Sequence, residues 1–283
     1  MIPVNLSRQR PVSILACIVA LAASDSVVAH AIAQDSSAWV SDKYSSLRLL
    51  SGPQQGKNLT GGIEITLKPG WKTYWRTPGD SGLPPRFDFS KSDNVETVTV
   101  LWPAPIKFPD GAGGHSLGYK DSVIVPLQIV RKDVAAPVTL RANIDYAVCE
   151  KLCVPVQATT ELKFPKTSSA TNVQLAAALQ SVPKPAKIGE GDLTIRAVRR
   201  EGDKKVIVEA KVPQGGTAEL FVEGPTHHWA LPLPVATETP ASGLWRFAFN
   251  LDGLPEGAKA SGAMLKFTLV SPGRAYEYNV ALP

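Results

Sequence analysis

The chain has 283 residues, which is enough for one large domain or two ordinary domains that each bury a core. Its formal net charge is +5, from 30 Lys and Arg against 25 Asp and Glu. The charges are scattered singly, without the basic stripes and interleaved aromatic residues of nucleic-acid-binding proteins, and this argues against nucleic acid as a partner.

The N-terminal segment has the pattern of a secretory signal peptide. Arg8 and Arg10 precede an apolar run from Val12 to Ala23, and the small-residue sequence Ala31-Ile32-Ala33 follows. The run is shorter than the roughly 20 apolar residues that cross a bilayer. We therefore predict a signal peptide over residues 1–33 and a mature protein that does not itself span the membrane.

Residues 34–166 carry the pattern of an antiparallel β domain. Runs with period-two alternation, rich in β-branched and aromatic residues, lie between Gly and Pro residues. In the run IEITLK, Ile63, Ile65 and Leu67 fall on one face and Glu64, Thr66 and Lys68 on the other, as in a strand with one buried side and one open side. The pattern predicts an all-β protein that begins with a β-sandwich.

Residues 167–187 interrupt the alternation. Ser and Thr come first, a short helical run follows from Val173 to Leu179, and Pro183 and Pro185 come next. We predict a linker with one small helix. Alternation then resumes, so residues 188–283 are predicted to form a second, smaller β-sandwich domain.

Aromatic residues are concentrated in the stretch KPGWKTYWRTPGDSGLPP. Trp71, Tyr74 and Trp75 form either a ligand-binding aromatic surface or alternating core and edge aromatics around a strand. The second interpretation is the more common one for such a pattern.

Cys149 and Cys153 are the only cysteines outside the predicted signal peptide, which contains Cys17. The residues between them, EKL, suit the connection of a tight hairpin, which would hold the sulfurs close without burying them deeply. A disulfide across so short a loop contributes only about 2 kcal/mol in the chain-entropy model. The pattern favours a redox-active pair, while a structural disulfide and a metal clamp remain alternatives.

The histidines give little support to a metal site. Beyond the signal peptide they are His115, His227 and His228, and neighbours in an extended segment such as His227 and His228 are expected to point to opposite faces. The sequence also has no H-E-x-x-H or P-loop motif. We predict no metal and no cofactor.

Three stretches of the chain resemble a known family in their order and content. They are LKPGWKTYWR, PDGAGGHSLGYKDSVIVPLQI and DYAVCEKLCVPVQATTEL, between about Trp39 and Phe164. They are similar to the periplasmic N-terminal domain of the thiol:disulfide interchange protein DsbD and of the related suppressor-of-copper-sensitivity protein ScsB. The most specific positions are Gly114, Ser116, Tyr119, Asp121 and Pro126 in the middle stretch.

The resemblance implies an immunoglobulin-like sandwich in the periplasm whose cysteine pair takes electrons from a membrane-embedded donor. The pair then reduces a periplasmic thioredoxin-like client, so the implied activity is of the protein-disulfide reductase type. Cys153 matches the family cysteine that attacks or is attacked in the mixed disulfide, and Cys149 matches the resolving cysteine. Tyr74 matches an aromatic residue beside the pair. The loop from Asp110 to Ser116, with Ala112 and His115, matches a cap over the pair, next to Tyr119.

The sequence departs from the family pattern in three ways. The pair is C-x3-C, with a shorter insertion than in the best-known members, and Ala112 stands where the cap has an aromatic shield. A second β domain also follows where the full-length family protein has electron-conducting and thioredoxin domains, so the donor is expected to be a separate protein. The alternative function is a periplasmic binding module for a client protein or a soft metal such as copper, with a static disulfide.

Overall fold

The computed structural model describes Met1 and residues 35–165, 172–238 and 243–283. The predicted signal peptide, including Cys17, lies outside these ranges apart from Met1. Residues 167–171 of the predicted linker also lie outside them. The limits of the two predicted domains and of the linker stay predictions.

Eleven strands build the first sandwich. They are β1 (Val40–Ser41), β2 (Ser45–Gln55), β3 (Asn58–Leu67), β4 (Lys72–Gly79), β5 (Arg86–Asp88), β6 (Val95–Val100), β7 (Ile106–Pro109), β8 (His115–Lys120), β9 (Ser122–Arg131), β10 (Thr139–Cys149) and β11 (Cys153–Lys163). One sheet has the order β1-β2-β3-β9-β6, and the other has the order β11-β10-β4-β8-β7, with β5 paired to β10. Apolar residues from both sheets meet in one core between them.

The second sandwich follows a helix, the only one in the described ranges. The elements are α1 (Val173–Gln180), β12 (Lys184–Pro185), β13 (Thr194–Glu201), β14 (Lys205–Lys211), β15 (Glu219–Glu223), β16 (Val235–Glu238), β17 (Leu244–Asn250), β18 (Met264–Ser271) and β19 (Arg274–Ala281). The sheets have the orders β12-β19-β18-β15 and β13-β14-β17-β16. The prediction of an all-β protein with two successive sandwiches is confirmed. No helix in the described ranges is long and apolar enough to cross a membrane.

The two sandwiches pack directly against each other within one compact unit. Phe221 of β15 belongs to the core of the first sandwich, where its ring centroid lies 6.1 Å from that of Trp75 on β4. Leu233, and Val270 of β18, also pack against this first core, while a separate cluster of buried apolar side chains forms the core of the second sandwich. The first core is therefore completed by Phe221, which comes 146 positions after Trp75 in the sequence.

Helix α1 covers part of the outer face of the first sheet. The Asn172 side chain accepts a hydrogen bond from the Leu175 amide and so caps the helix N-terminus. Leu175 is 1% exposed, and a Cβ atom built on Gly52 or Gly62 would lie 2.8 or 2.9 Å from its methyl groups. Leu175 therefore packs into a depression of the sheet surface. The depression exists because residues 52 and 62 are glycines and have no Cβ atom.

The position of helix α1 explains one difference between β3 and its predicted alternation. Ile63 and Ile65 face the core as predicted, but Glu64, which was expected on an open face, is also buried. Glu64 lines a cavity beside Ala177 and Ala178 of α1, and its carboxylate binds the Arg48 Nε at 2.6 Å. Glu64 is therefore buried where the helix lies beside the strand, while Thr66 is half-buried and Lys68 is exposed.

We predict that Leu175→Ala lowers the free energy of unfolding by about 2–3 kcal/mol, because it removes buried methyl groups and leaves a cavity between helix and sheet. Val173→Ala, at a position 77% exposed on the same helix, should change it by less than about 0.5 kcal/mol. Urea unfolding of both variants measures the difference. Equal effects would mean that Leu175 does not hold the helix in place.

Candidate functional site

The two cysteines lie at the end of the hairpin formed by β10 and β11. Cys149 and Cys153 are directly opposite each other in the register, with residues 150–152 as the connection, and they form a disulfide with Cα atoms 4.2 Å apart. The predicted tight hairpin is confirmed.

The two sulfur-bearing residues differ in exposure. Cys149 is only 6% exposed, whereas Cys153 is exposed. The prediction that neither would be deeply buried is therefore wrong for Cys149. The cause is the sheet order: β10 lies between β11 and β4, where Cys149 pairs with Lys72, while β11 is an edge strand.

Tyr74 of β4 binds both sulfurs through its hydroxyl. The oxygen lies 3.0 Å from the Cys149 Sγ and 3.1 Å from the Cys153 Sγ. Disulfide sulfurs carry no hydrogen, so the phenol is the donor. Burial raises the pKa of Tyr74, and the negative charge of Asp110 raises it further. The phenol therefore keeps its proton through the neutral range and above it.

Gly82 lies against the ring of Tyr74. Its φ is +124°, and a Cβ atom at this position would come within 2.4 Å of the Tyr74 Cε1 atom. Both the backbone conformation and the lack of space require glycine. The loop that follows β4 thus covers the ring that contacts the disulfide.

The predicted cap loop folds around the carboxylate of Asp110. The Asp110 Oδ1 atom accepts hydrogen bonds from the amides of Ala112, at 2.8 Å, and Gly114, at 3.0 Å. The Ala112 amide is the main cause that lowers the pKa of Asp110. Ala112 is exposed, and Cβ atoms built on its neighbours Gly111 and Gly113 would meet no atom within 4 Å.

The cap loop contacts the residues that lead to Gly82. The Ser81 hydroxyl donates to the Asp110 Oδ2 atom at 3.0 Å, and the His115 amide donates to the Asp80 Oδ2 atom at 2.9 Å. Buried Ser116 donates its hydroxyl to the Ser81 carbonyl oxygen at 3.0 Å. These predicted residues therefore reach the disulfide through residues 80–82 and Tyr74. A shielding role for the loop stays a prediction.

Tyr119 lies in the core of the first sandwich. It pairs in register with Thr73, next to Tyr74, and its hydroxyl donates to the Pro103 carbonyl oxygen at 2.8 Å. Burial raises the pKa of Tyr119 well above its usual value. Tyr119 therefore supports the strand that carries Tyr74. Its own hydroxyl binds Pro103 and not the sulfurs.

The sequence did not single out Ser81 and Gly82. The turn signal was present, since both lie in the Gly- and Pro-rich stretch after β4. Their contact with Tyr74 depends on tertiary packing that local sequence does not encode.

The aromatic residues of the stretch KPGWKTYWRTPGDSGLPP lie in the core and at the edge of the first sandwich. Trp75 is fully buried in the first core, and Trp71 stacks on Tyr44 with ring centroids 3.9 Å apart. Together with Tyr74, which is committed to the disulfide, these positions do not form the open aromatic surface that was one of the two interpretations.

The prediction that His227 and His228 point to opposite faces is wrong. They lie in a turn and not in an extended segment, and their ring centroids are 3.9 Å apart. Among the residues that the structure describes, no three His, Cys, Asp or Glu side chains are grouped as a metal site.

Comparison with known proteins connects this geometry to a family. Residues 46–165 match the family model described as thiol:disulfide interchange protein DsbD, N-terminal. The N-terminal periplasmic domain of ScsB from Proteus mirabilis is 20% identical with a TM-score of 0.69, over 88% of this chain and 98% of that one. This likeness establishes a common fold, which extends beyond the matched family segment and confirms the expected immunoglobulin-like sandwich.

Two other comparisons add nothing to the argument. A marsupial T cell receptor aligns over 85% of this chain and 98% of that one, at 11% identity, but its TM-score is only 0.22. No curated protein matches the chain.

We predict that Gly82→Ala destabilises the protein more than Gly111→Ala. Both positions have positive φ and share a strain cost of about 1–2 kcal/mol, but only the Cβ at position 82 collides with Tyr74. Gly82→Ala should therefore cost at least about 1 kcal/mol more in denaturant unfolding. It should also shift the ring NMR signals of Tyr74. Equal costs and unshifted signals would show that the loop does not lie on Tyr74.

Proposed function

We propose that this protein, whose residues 46–165 match the family model of the DsbD N-terminal domain, performs thiol:disulfide exchange through Cys149 and Cys153. The observation that supports the proposal most strongly is the asymmetry of the disulfide. Cys153 is exposed at the sheet edge, while Cys149 is buried, and a neutral phenol contacts both sulfurs. One sulfur can be attacked, and the other is placed to leave.

Reduction of the protein begins at Cys153. A thiolate of the electron donor attacks the Cys153 Sγ atom, a mixed disulfide forms, and the electron pair of the broken S–S bond goes to the Cys149 Sγ atom. A second thiolate of the donor then attacks the donor sulfur of the mixed disulfide and releases the Cys153 thiolate. The donor becomes a disulfide, and the two released thiolates take protons from water.

Tyr74 stabilises the thiolate that leaves in the first step. The Cys149 sulfur gains a full negative charge in a buried position, where an uncompensated charge is costly. The Tyr74 hydroxyl already points at that sulfur from 3.0 Å, and its raised pKa keeps the proton available. A leaving thiol that is stabilised as its thiolate leaves faster.

The client is reduced by the reverse sequence. The exposed Cys153 thiolate attacks a disulfide sulfur of the client and forms a second mixed disulfide. The Cys149 thiolate attacks Cys153 within that complex, which closes the intramolecular disulfide and releases the client thiolate. The client has then gained two electrons, and its two thiolates take up protons.

We place this exchange in the periplasm, with a membrane-embedded donor and a thioredoxin-like client. The predicted signal peptide supports this location, and the structurally similar ScsB domain is described as periplasmic. In an oxidising compartment a reduced pair needs a supply of electrons, which a membrane-embedded donor would provide.

Variants of the two cysteines test their roles. Cys149→Ser should accumulate mixed disulfides through Cys153 in cells, because the thiol that would release the partner is missing. Cys153→Ser should accumulate far fewer, since Cys149 is buried. Non-reducing gels of alkylated periplasmic extracts separate the species. Equal trapping by both variants, or trapping by neither, contradicts the proposed roles and favours a static disulfide.

We predict that Tyr74→Phe slows opening of the disulfide by dithiothreitol about tenfold or more, because a hydrogen bond to a charged group contributes about 1.5–3 kcal/mol. The slowing should be constant from about pH 6 to 9, since burial and Asp110 raise the pKa of Tyr74 and the donor proton is lost only above that range.

Tyr146→Phe is the matched control. Tyr146 is also buried in the same sheet, its hydroxyl lies 2.8 Å from the Ser45 Oγ atom, and burial is the main cause that raises its pKa to about 12. Removal of this hydroxyl should leave the opening rate unchanged. A Tyr74→Phe rate equal to that of the control would exclude the phenol from the reaction.

A further inference from the structure

The strand that carries Tyr74 leaves its regular pairing immediately after that residue. Tyr74 is opposite Gly118 of β8, but the next paired residue, Gly79, is opposite Ser116. Residues 75–78 of β4 therefore lie opposite the single residue Leu117 and form a large bulge. The bulge separates Tyr74, which binds the sulfurs, from residues 80–82, which cover its ring.

Side chains of the second sandwich hold this bulge. The guanidinium of Arg76 donates two hydrogen bonds to the carboxylate of Glu223 on β15, at 2.9 Å from Nε and 2.6 Å from Nη2. The Thr77 hydroxyl donates to the same carboxylate at 2.8 Å. Arg76 and Thr77, two consecutive residues of the bulge, therefore bind the same carboxylate. The two hydrogen bonds from Arg76 have the bidentate geometry in which arginine–carboxylate contacts are strongest and most directional.

A second carboxylate completes the cluster. The Arg76 Nη2 atom also donates to Glu277 of β19 at 2.5 Å, and the Lys266 Nζ atom lies 3.9 Å from the other oxygen of Glu277. Burial tends to lower the pKa of Arg76, but its hydrogen bonds and charge interactions with Glu223 and then Glu277 outweigh burial and raise it. We call Arg76, Thr77, Glu223 and Glu277 the Arg76 cluster.

Trp75, the aromatic residue of the bulge, also contacts the second sandwich. Trp75 is fully buried beside Phe221 of β15, and the Arg76 guanidinium lies 4.2 Å from the centroid of the Trp75 ring. Removal of a group from a partly buried ion cluster is costly, because the remaining charges keep their desolvation penalty. The bulge is therefore bound to the second sandwich through both ionic and aromatic contacts.

We infer that the second sandwich positions the redox site: Glu223 and Glu277, through Arg76, fix the bulge of β4 and thereby place the Tyr74 hydroxyl on the Cys149 sulfur. This inference rests on the proposed exchange function and gives the second sandwich a part in it. Arg76, Glu223 and Glu277 are positioning residues, since they act through Tyr74 and do not touch the sulfurs.

The test is a double-mutant cycle between the cluster and the phenol. Glu223→Gln removes the charge but keeps the shape of the side chain, and it should slow opening of the disulfide by dithiothreitol about threefold to tenfold. In a Tyr74→Phe background, Glu223→Gln should not slow opening any further, because the Tyr74 hydroxyl, which the substitution would displace, is already absent. If Glu223 acted only on general stability, the two substitutions would slow opening independently, and their fold-changes in rate would multiply in the double variant.

Glu161→Gln is the matched control. Glu161 binds Arg141 of β10, and Arg141, like Arg76, has two carboxylate partners, at 3.0 Å to Glu161 and 2.8 Å to Asp93. Arg141 is eight residues before Cys149 on β10, which is about 26 Å along the strand at roughly 3.3 Å per residue. The control should leave the opening rate unchanged. Circular dichroism of every variant monitors the fold.

The outcomes distinguish the inference from the function on which it rests. A wild-type rate in well-folded Glu223→Gln, or a rate loss that persists in the Tyr74→Phe background, overturns the positioning role. An unchanged rate in Tyr74→Phe itself argues against the proposed chemistry. If Glu223→Gln does not fold, Thr77→Val removes only the hydroxyl bond to Glu223, and the same cycle is measured with that variant.

Discussion

The short disulfide at the end of the β10–β11 hairpin is the constraint on which the site depends. Because the two cysteines face each other across an edge pair of strands, one sulfur lies inside the sheet and the other at its border. This placement makes the two ends of the bond chemically different, although the loop between them is only three residues long. A staple across the sandwich would constrain the unfolded chain far more.

The surroundings of the disulfide are organised in layers around Tyr74. The phenol contacts both sulfurs, Gly82 covers its ring, and the loop at Asp110 holds the residues before Gly82. On the other side, the strand that carries Tyr74 is fixed through Arg76 to the second sandwich. In this account the second sandwich is part of the site, although neither of its sheets carries a cysteine.

Local patterns predict the strands and the hairpin that joins the two cysteines, but not the packing that surrounds them. Alternation along β3 and the C-x3-C spacing are properties of neighbouring residues, and they predicted the core-facing Ile63 and Ile65 and the hairpin that brings the cysteines together. The burial of Glu64 and of Cys149 depends on a helix and a strand from distant segments. The bond between Arg76 and Glu223 joins residues 147 positions apart, and no local pattern marks either of them.

The thiol state of Cys149 and Cys153 in living cells tests the central claim most directly. Cells are quenched in acid, free thiols are labelled with a reagent that adds mass, and the fraction of labelled protein is measured. Exchange with a reducing donor predicts that a substantial fraction carries two labelled cysteines even in an oxidising compartment. A pair that is always fully oxidised would contradict the account and identify the disulfide as a static element of the fold.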